Sequence, residues 1–112
     1  MPSPELLAVL AEPTRLRILE LLLEGPRSVG ELVGELETSQ PATSKHLRVL
    51  REAGLVHVHP DAQRRVYALR AEPLAELDAW LEPYRRLWDG RLDALERHLD
   101  ADPKPTSRRT SR

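Results

Sequence analysis

The stretch Thr38-Ser39-Gln40-Pro41-Ala42-Thr43-Ser44-Lys45-His46-Leu47-Arg48-Val49-Leu50-Arg51-Glu52-Ala53-Gly54 decides the fold. Thr38 and Ser39 offer a helix cap, Pro41 falls in the first turn, where proline is tolerated, and Gly54 supplies the stop. Between them Thr43, Leu47, Leu50 and Ala53 recur at helical spacing and form one inner stripe. The opposite face carries Gln40, Ser44, Lys45 and Arg48. Just upstream, Ser28-Val29-Gly30-Glu31 has the spacing of a capping box, and Val29, Leu32, Val33 and Leu36 share one helical face behind it. Two capped helices joined across Glu37-Thr38-Ser39 read as a helix-turn-helix.

Working outward, Leu55 to His59 and Arg65 to Leu69 are strand-like runs separated by Pro60-Asp61-Ala62-Gln63-Arg64. They read as a hairpin, a wing with Arg64 and Arg65 at its tip. Pro73 opens a last helical region to about Leu99, with Leu74, Leu77, Trp80, Leu81, Tyr84, Leu87, Trp88, Leu92 and Leu95 as its apolar positions. Pro83 lacks an amide proton and is expected to bend or break that helix. On the other side, Glu5 to Leu10 is a short apolar helix. Thr14 to Glu24 reads as a second, with Leu16, Ile18, Leu19, Leu22 and Leu23 inward and Gly25-Pro26 as its end. The expected fold is mainly α with a small β-hairpin, a winged helix-turn-helix with helices flanking at both ends for dimerisation. Residues 1–101 form the domain, and residues 102–112 read as a disordered basic tail.

A chain of 112 residues fits one domain with a modest core. It has no cysteine, which excludes disulfides, thiolate metal sites and thiol nucleophiles and suits a cytoplasmic protein. No apolar run approaches the ~20 residues needed to span a bilayer, and no basic-then-apolar leader is visible at the N-terminus. The net charge is −1, but it is unevenly spread. Met1 to Glu37 has three basic residues against seven acidic, whereas Thr38 to Arg70 has six against two. Ala71 to Asp102 turns acidic again, and the tail is basic. Positive charge confined to one internal segment is the mark of a localised phosphate-facing surface. With no glycine-rich phosphate loop, ligand cluster or nucleophile beside a base, the sequence reads as non-enzymatic and without a cofactor.

The polar face of the Thr38 helix has the chemistry for a major groove in double-stranded DNA. Glutamine matches adenine, lysine and arginine match guanine, and serine donates or accepts. The N-terminal positions Gln40, Ser44 and Lys45 are the expected base readers, with Arg48 and Arg51 further along for phosphate. Ser28, Ser39, Arg64 and Arg65 are further expected contacts, and His46 is either a packing or a phosphate-contacting residue. A helix can carry such a face for solubility alone, so the wing arginines and the local charge are what favour nucleic acid. His57 and His59 share a strand face, but two ligands with no third partner read as surface residues, so no metal is expected. Leu6, Leu10, Leu77, Trp80, Tyr84 and Trp88 are the expected homodimer seam.

Leu10-Ala11-Glu12-Pro13-Thr14-Arg15-Leu16-Arg17-Ile18-Leu19 resembles the opening motif of ArsR/SmtB-type repressors, and Ser39 to Val56 resembles their recognition helix and its exit into the wing. The resemblance extends from Leu6 to Leu99. It implies a homodimeric repressor whose first and last helices form the interface, bound to an imperfect palindrome in its own promoter. It also implies base reading by Gln40, Ser44 and Lys45. Some positions depart from the pattern: Glu12 replaces the usual aspartate, and the wing tip lacks its usual glycine. The family's thiolate metal site would fall on Ser28, Gly30 and Val33, and its helical site near Asp78, Trp80, Arg91 and Ala94, so neither keeps its ligands. The inducer is left open. The alternative is a winged-helix module in which Lys45, Arg64 and Arg65 meet acidic side chains of a protein.

Overall fold

The computed structural model describes residues 1–101, so the expected tail at 102–112 lies outside the described residues. The helices are α1 (Pro4–Leu10), α2 (Pro13–Glu24), α3 (Val29–Leu36), α4 (Gln40–Glu52) and α5 (Glu72–Ala101). The strands are β1 (Arg27–Ser28), β2 (Val56–Asp61) and β3 (Arg64–Leu69). This is the winged helix-turn-helix order: three helices and a short strand, the recognition-type helix α4, a hairpin, and a final helix. Two compact units divide the chain, one ending at Trp80 and the other beginning at Leu81, within α5.

Four of the five helices begin on a side-chain cap. Ser3 accepts from the Leu6 amide at 3.1 Å, Glu12 from Arg15 at 2.8 Å, Ser28 from Glu31 at 3.2 Å and Ser39 from Ala42 at 3.1 Å. Each cap satisfies an amide that the first helical turn leaves without a partner. At Ser28 the box is complete, because its own amide donates to the Glu31 carboxylate at 2.8 Å. That bond holds the Glu31 carboxyl below the ordinary carboxylate range, aided by the Ser28 hydroxyl and by Arg64 and Arg27, against a smaller desolvation cost.

The core of the first unit gathers one face from each element: Leu6 of α1, Ile18, Leu21 and Leu22 of α2, Leu32 of α3, and Leu47 and Leu50 of α4. Leu55, Val56 and Tyr67 close it from the sheet side. Here α2 departs from expectation. Leu16 is 44% exposed and Leu23 77%, while Leu21 turns inward, because the buried face follows the i, i+3, i+4 spacing of Ile18, Leu21 and Leu22. Leu6 also departs: it was expected at a dimer seam, yet only 7% of it is exposed, and its neighbour Leu7 faces out instead.

The sheet has three strands in the order β1-β3-β2, all antiparallel. β1 pairs Arg27 with Tyr67 and Ser28 with Val66. A strand of two residues shows no alternation, so the sequence gives no sign of it. Arg27 fastens this edge to the end of α2, donating to the Leu21 carbonyl at 3.3 Å and to Glu24 at 2.9 Å. The wing is longer and its turn tighter than expected. Asp61 pairs with Arg64, so the tip is Ala62-Gln63 and the two arginines lie on β3. Ala62 takes the left-handed φ of 59° where glycine is preferred. α5 is also uninterrupted at Pro83. The proline forfeits one amide bond, and water can satisfy the carbonyl of Ala79, which is exposed. Among the described residues no helix is long and apolar enough to cross a membrane.

Two stability measurements follow from these local structures. Gly34 sits inside α3, and a Cβ built there meets nothing within 4 Å. Gly34→Ala should therefore raise unfolding free energy in urea by ~0.5–1 kcal/mol, through helix propensity alone. A loss of stability would mean that α3 needs the glycine's backbone freedom. The Glu31 carboxyl is held below its ordinary value in the folded state, so its contribution is present above that value and lost as pH falls through the lowered one. Glu31→Gln should be less stable than the parent at neutral pH, with the gap closing on acidification. A gap independent of pH would assign the effect to packing.

Candidate nucleic-acid interface

The burial of Thr43, Leu47 and Leu50, each fully shielded from solvent, fixes which way α4 faces. Thr43 is satisfied inside, donating from Oγ1 to the Ser39 carbonyl at 2.9 Å. With that side inward, Gln40, Ser44, Lys45, Arg48 and Arg51 are all exposed. Lys45, Arg48 and Arg51 have no ion-pair partner among the described residues, so their charge is free for an outside anion. Ser39 is exposed at the helix start; its oxygen holds the Ala42 amide, and its hydroxyl proton remains available as a donor.

The turn into α4 is built without glycine. Glu37 closes α3 with φ 54° and ψ 46°, and its amide reaches the Val33 carbonyl at 2.9 Å. This left-handed residue redirects the chain within two positions, so that α4 starts at Gln40. Gln40 and Ser44 thus stand on the first turns of the helix, next to the bend.

Two expected contacts are placed differently. Ser28 is 6% exposed, and both its hydroxyl and its amide are consumed by the capping box. A phosphate at this helix start would also meet the Glu31 carboxylate already seated there, so Ser28 is a structural cap. His46 is half-buried on the inner flank of α4, away from Gln40 and Ser44. Its Nδ1 lies 3.3 Å from Arg15 Nη1 and 3.9 Å from Glu12 Oε1. Arg15 in turn donates from Nε to the Val9 carbonyl of α1 at 2.9 Å. The sequence reading missed this role for Glu12 and Arg15. Their signal lies in residues distant in sequence that the fold brings together.

On the wing the two arginines differ. Arg64 is paired with Asp61 at 3.3 Å across the turn, whereas Arg65 has no ion-pair partner among the described residues. Arg65 is therefore the freer cation of the two. His57 and His59 lie exposed on one face of β2, their ring centroids 6.0 Å apart. Among the described residues no three histidine, cysteine or acidic side chains come close enough to hold a metal ion.

Of the remaining residues expected at a dimer seam, Leu10, Leu77 and Trp80 are half-buried, and Leu10 packs against the core of its own chain. In α5 Tyr84 is 54% and Trp88 61% exposed, beside exposed Leu81, Leu87, Leu92, Leu95 and Leu99.

The family described as "Bacterial regulatory protein, arsR family" matches residues 12–58, from the Glu12 cap to the first half of the wing. The HTH-type transcriptional regulator Rv2034 of Mycobacterium tuberculosis is 41% identical over 97 residues, covering 87% of this chain and 88% of its own. The biofilm growth-associated repressor of Agrobacterium fabrum is 43% identical over 72 residues, covering 64% of this chain and 62% of its own. Among solved structures, the ArsR family transcriptional regulator RHA00566 superposes with a TM-score of 0.67 at 32% identity, over 76% of this chain and 93% of that one. A capped helix-turn-helix, a wing behind it and relatives matched along most of their length lead to one assignment: this chain belongs to the ArsR family and is a transcriptional regulator, not an enzyme.

Proposed function

We propose that the chain represses transcription as a homodimer, reading an imperfect palindrome in double-stranded promoter DNA with α4 of each copy in a major groove. The observation that carries this reading is the sidedness of α4. Its buried stripe leaves Gln40, Ser44, Lys45, Arg48 and Arg51 exposed together, with three cations that have no ion-pair partner among the described residues. Gln40, Ser44 and Lys45 contact base edges. Arg48, Arg51, Ser39 and Arg65 take phosphates, and Arg64 adds a weaker contact because Asp61 shares its charge. The protein at large is slightly acidic, so affinity comes from this surface and not from general charge.

Dimerisation is supported by α5, where Tyr84, Trp88 and five leucines stand exposed along one helix. Apolar side chains in this number on a chain of this size mark an interaction surface. A two-fold dimer presents two α4 helices to two half-sites, which accounts for a palindrome. Repression follows from a dimer occupying promoter sequence, and the Agrobacterium fabrum relative carries that role in its name.

The reading is tested on a duplex recovered by selecting the protein against a random-sequence pool. Gln40→Ala should cost ~1–3 kcal/mol on the selected duplex and little on random DNA. Arg65→Ala should weaken both alike and reduce the salt dependence by about one charge per subunit. Equal losses on both duplexes for Gln40→Ala would remove the base-reading assignment, and no affinity for any duplex would leave the protein-binding alternative. Sedimentation provides a separate check on assembly. The parent should run as a dimer and Trp88→Glu as a monomer, and a variant that stays dimeric places the seam elsewhere.

A further inference from the structure

The face of α4 turned away from the proposed DNA contacts is tied to two other helices through one imidazole. Arg15 Nη1 lies 3.3 Å from His46 Nδ1, and Arg15 Nε donates to Val9 at the end of α1. A guanidinium keeps its protons at every relevant pH and can only donate. A hydrogen bond in this contact therefore requires His46 Nδ1 as the acceptor, which only a ring carrying its proton on Nε2 can supply. We propose that His46 is a positioning residue for base reading: by accepting from Arg15 it fixes the roll of α4 against α1 and α2, and its protonation loosens that hold. The inference rests on the DNA reading above.

The surroundings decide what a proton does. A proton added at Nδ1 occupies the lone pair that Arg15 uses and sets two cations against each other at 3.3 Å. The nearest anion is Glu12 Oε1, 3.9 Å from the same nitrogen. That oxygen already accepts the Arg15 amide at 2.8 Å as the cap of α2. A charged ring thus draws on the α2 cap while losing its bond to the guanidinium. Among the described residues, Glu12 and Arg15 are the charged groups that face the ring. α1 contributes the Val9 carbonyl through Arg15, and the flanking α4 positions Ala42, Thr43, Val49 and Leu50 have no titratable group. His46 lies beside Lys45 in sequence but on another side of the helix, so a small roll at His46 displaces Gln40, Ser44 and Lys45 together.

The test measures affinity for the selected duplex relative to random duplex at about pH 8 and about pH 5.5, which spans the range where imidazoles change charge. Dividing by random-duplex affinity removes the general phosphate attraction of His57 and His59 on the wing. The parent should lose about five-fold or more in this ratio at the acid end, within the usual range of coupling between sites. His46→Gln, whose amide oxygen can accept from Arg15 at either pH, should give a flat ratio. A variant that keeps the parent's pH profile overturns the proposal. Nitrogen-15 spectra of the parent's histidine rings, with His46 assigned by its absence in the variant, provide a readout without DNA. At pH about 8 they should show the Nε2–H tautomer, and a protonated Nδ1 overturns the proposal even if the variant fails to fold. If the parent binds no duplex, the DNA reading fails, and the same spectra still decide whether Arg15 holds the ring.

Discussion

Everything the interface does depends on three side chains that never reach it. Thr43, Leu47 and Leu50 are fully buried, and a helix with one face committed to a core keeps only small rolls about its axis. Removing the methyls of Leu47 or Leu50 would leave a cavity costing ~2–5 kcal/mol, a large share of what a domain of this size holds. Thr43 adds a directional element, since its hydroxyl must find the Ser39 carbonyl or remain unsatisfied in an apolar setting. Apolar burial sets which face of α4 turns inward, and the threonine bond ties that facing to the position where the helix begins.

The beginnings of the helices are defined just as strictly. Ser3, Glu12, Ser28 and Ser39 each hold the third amide that follows, and Pro4, Pro13 and Pro41 sit where a missing N–H is harmless. Short helices gain little from propensity and are marginal in isolation, so their termini must be specified by side chains. Glu12 shows how far the requirement bends: with one more methylene than aspartate, it still reaches the Arg15 amide at 2.8 Å.

The capped pair α3–α4 was readable from sequence because its signals are local: a box at Ser28 and Glu31, a cap at Ser39, and two stripes at helical period. The wing was readable as a hairpin for the same reason. What sequence could not supply was contact between distant segments. β1 exists only because β3 lies alongside it. Leu16 and Leu23 look like any other leucine in α2 until the other helices choose which flank to cover, and Leu6 joins the core by the same choice. Ser28 could be read as a cap or as a phosphate contact, and its burial decides between them. His46 belongs to the same class, since its partners lie 31 and 34 positions away.

The hairpin turn has a consequence for how this wing can change length. Only Ala62 and Gln63 separate Asp61 from Arg64, so there is no slack to absorb a single added residue. One insertion within a strand would slide the pairing by a step and exchange the two faces of everything beyond it. Val58 and Tyr67, which line the core side, would trade places with their outward neighbours, and His57 and His59 would swing to the opposite face. Viable descendants of this hairpin should therefore lengthen or shorten by whole pairs, or else acquire a bulge that restores the alternation.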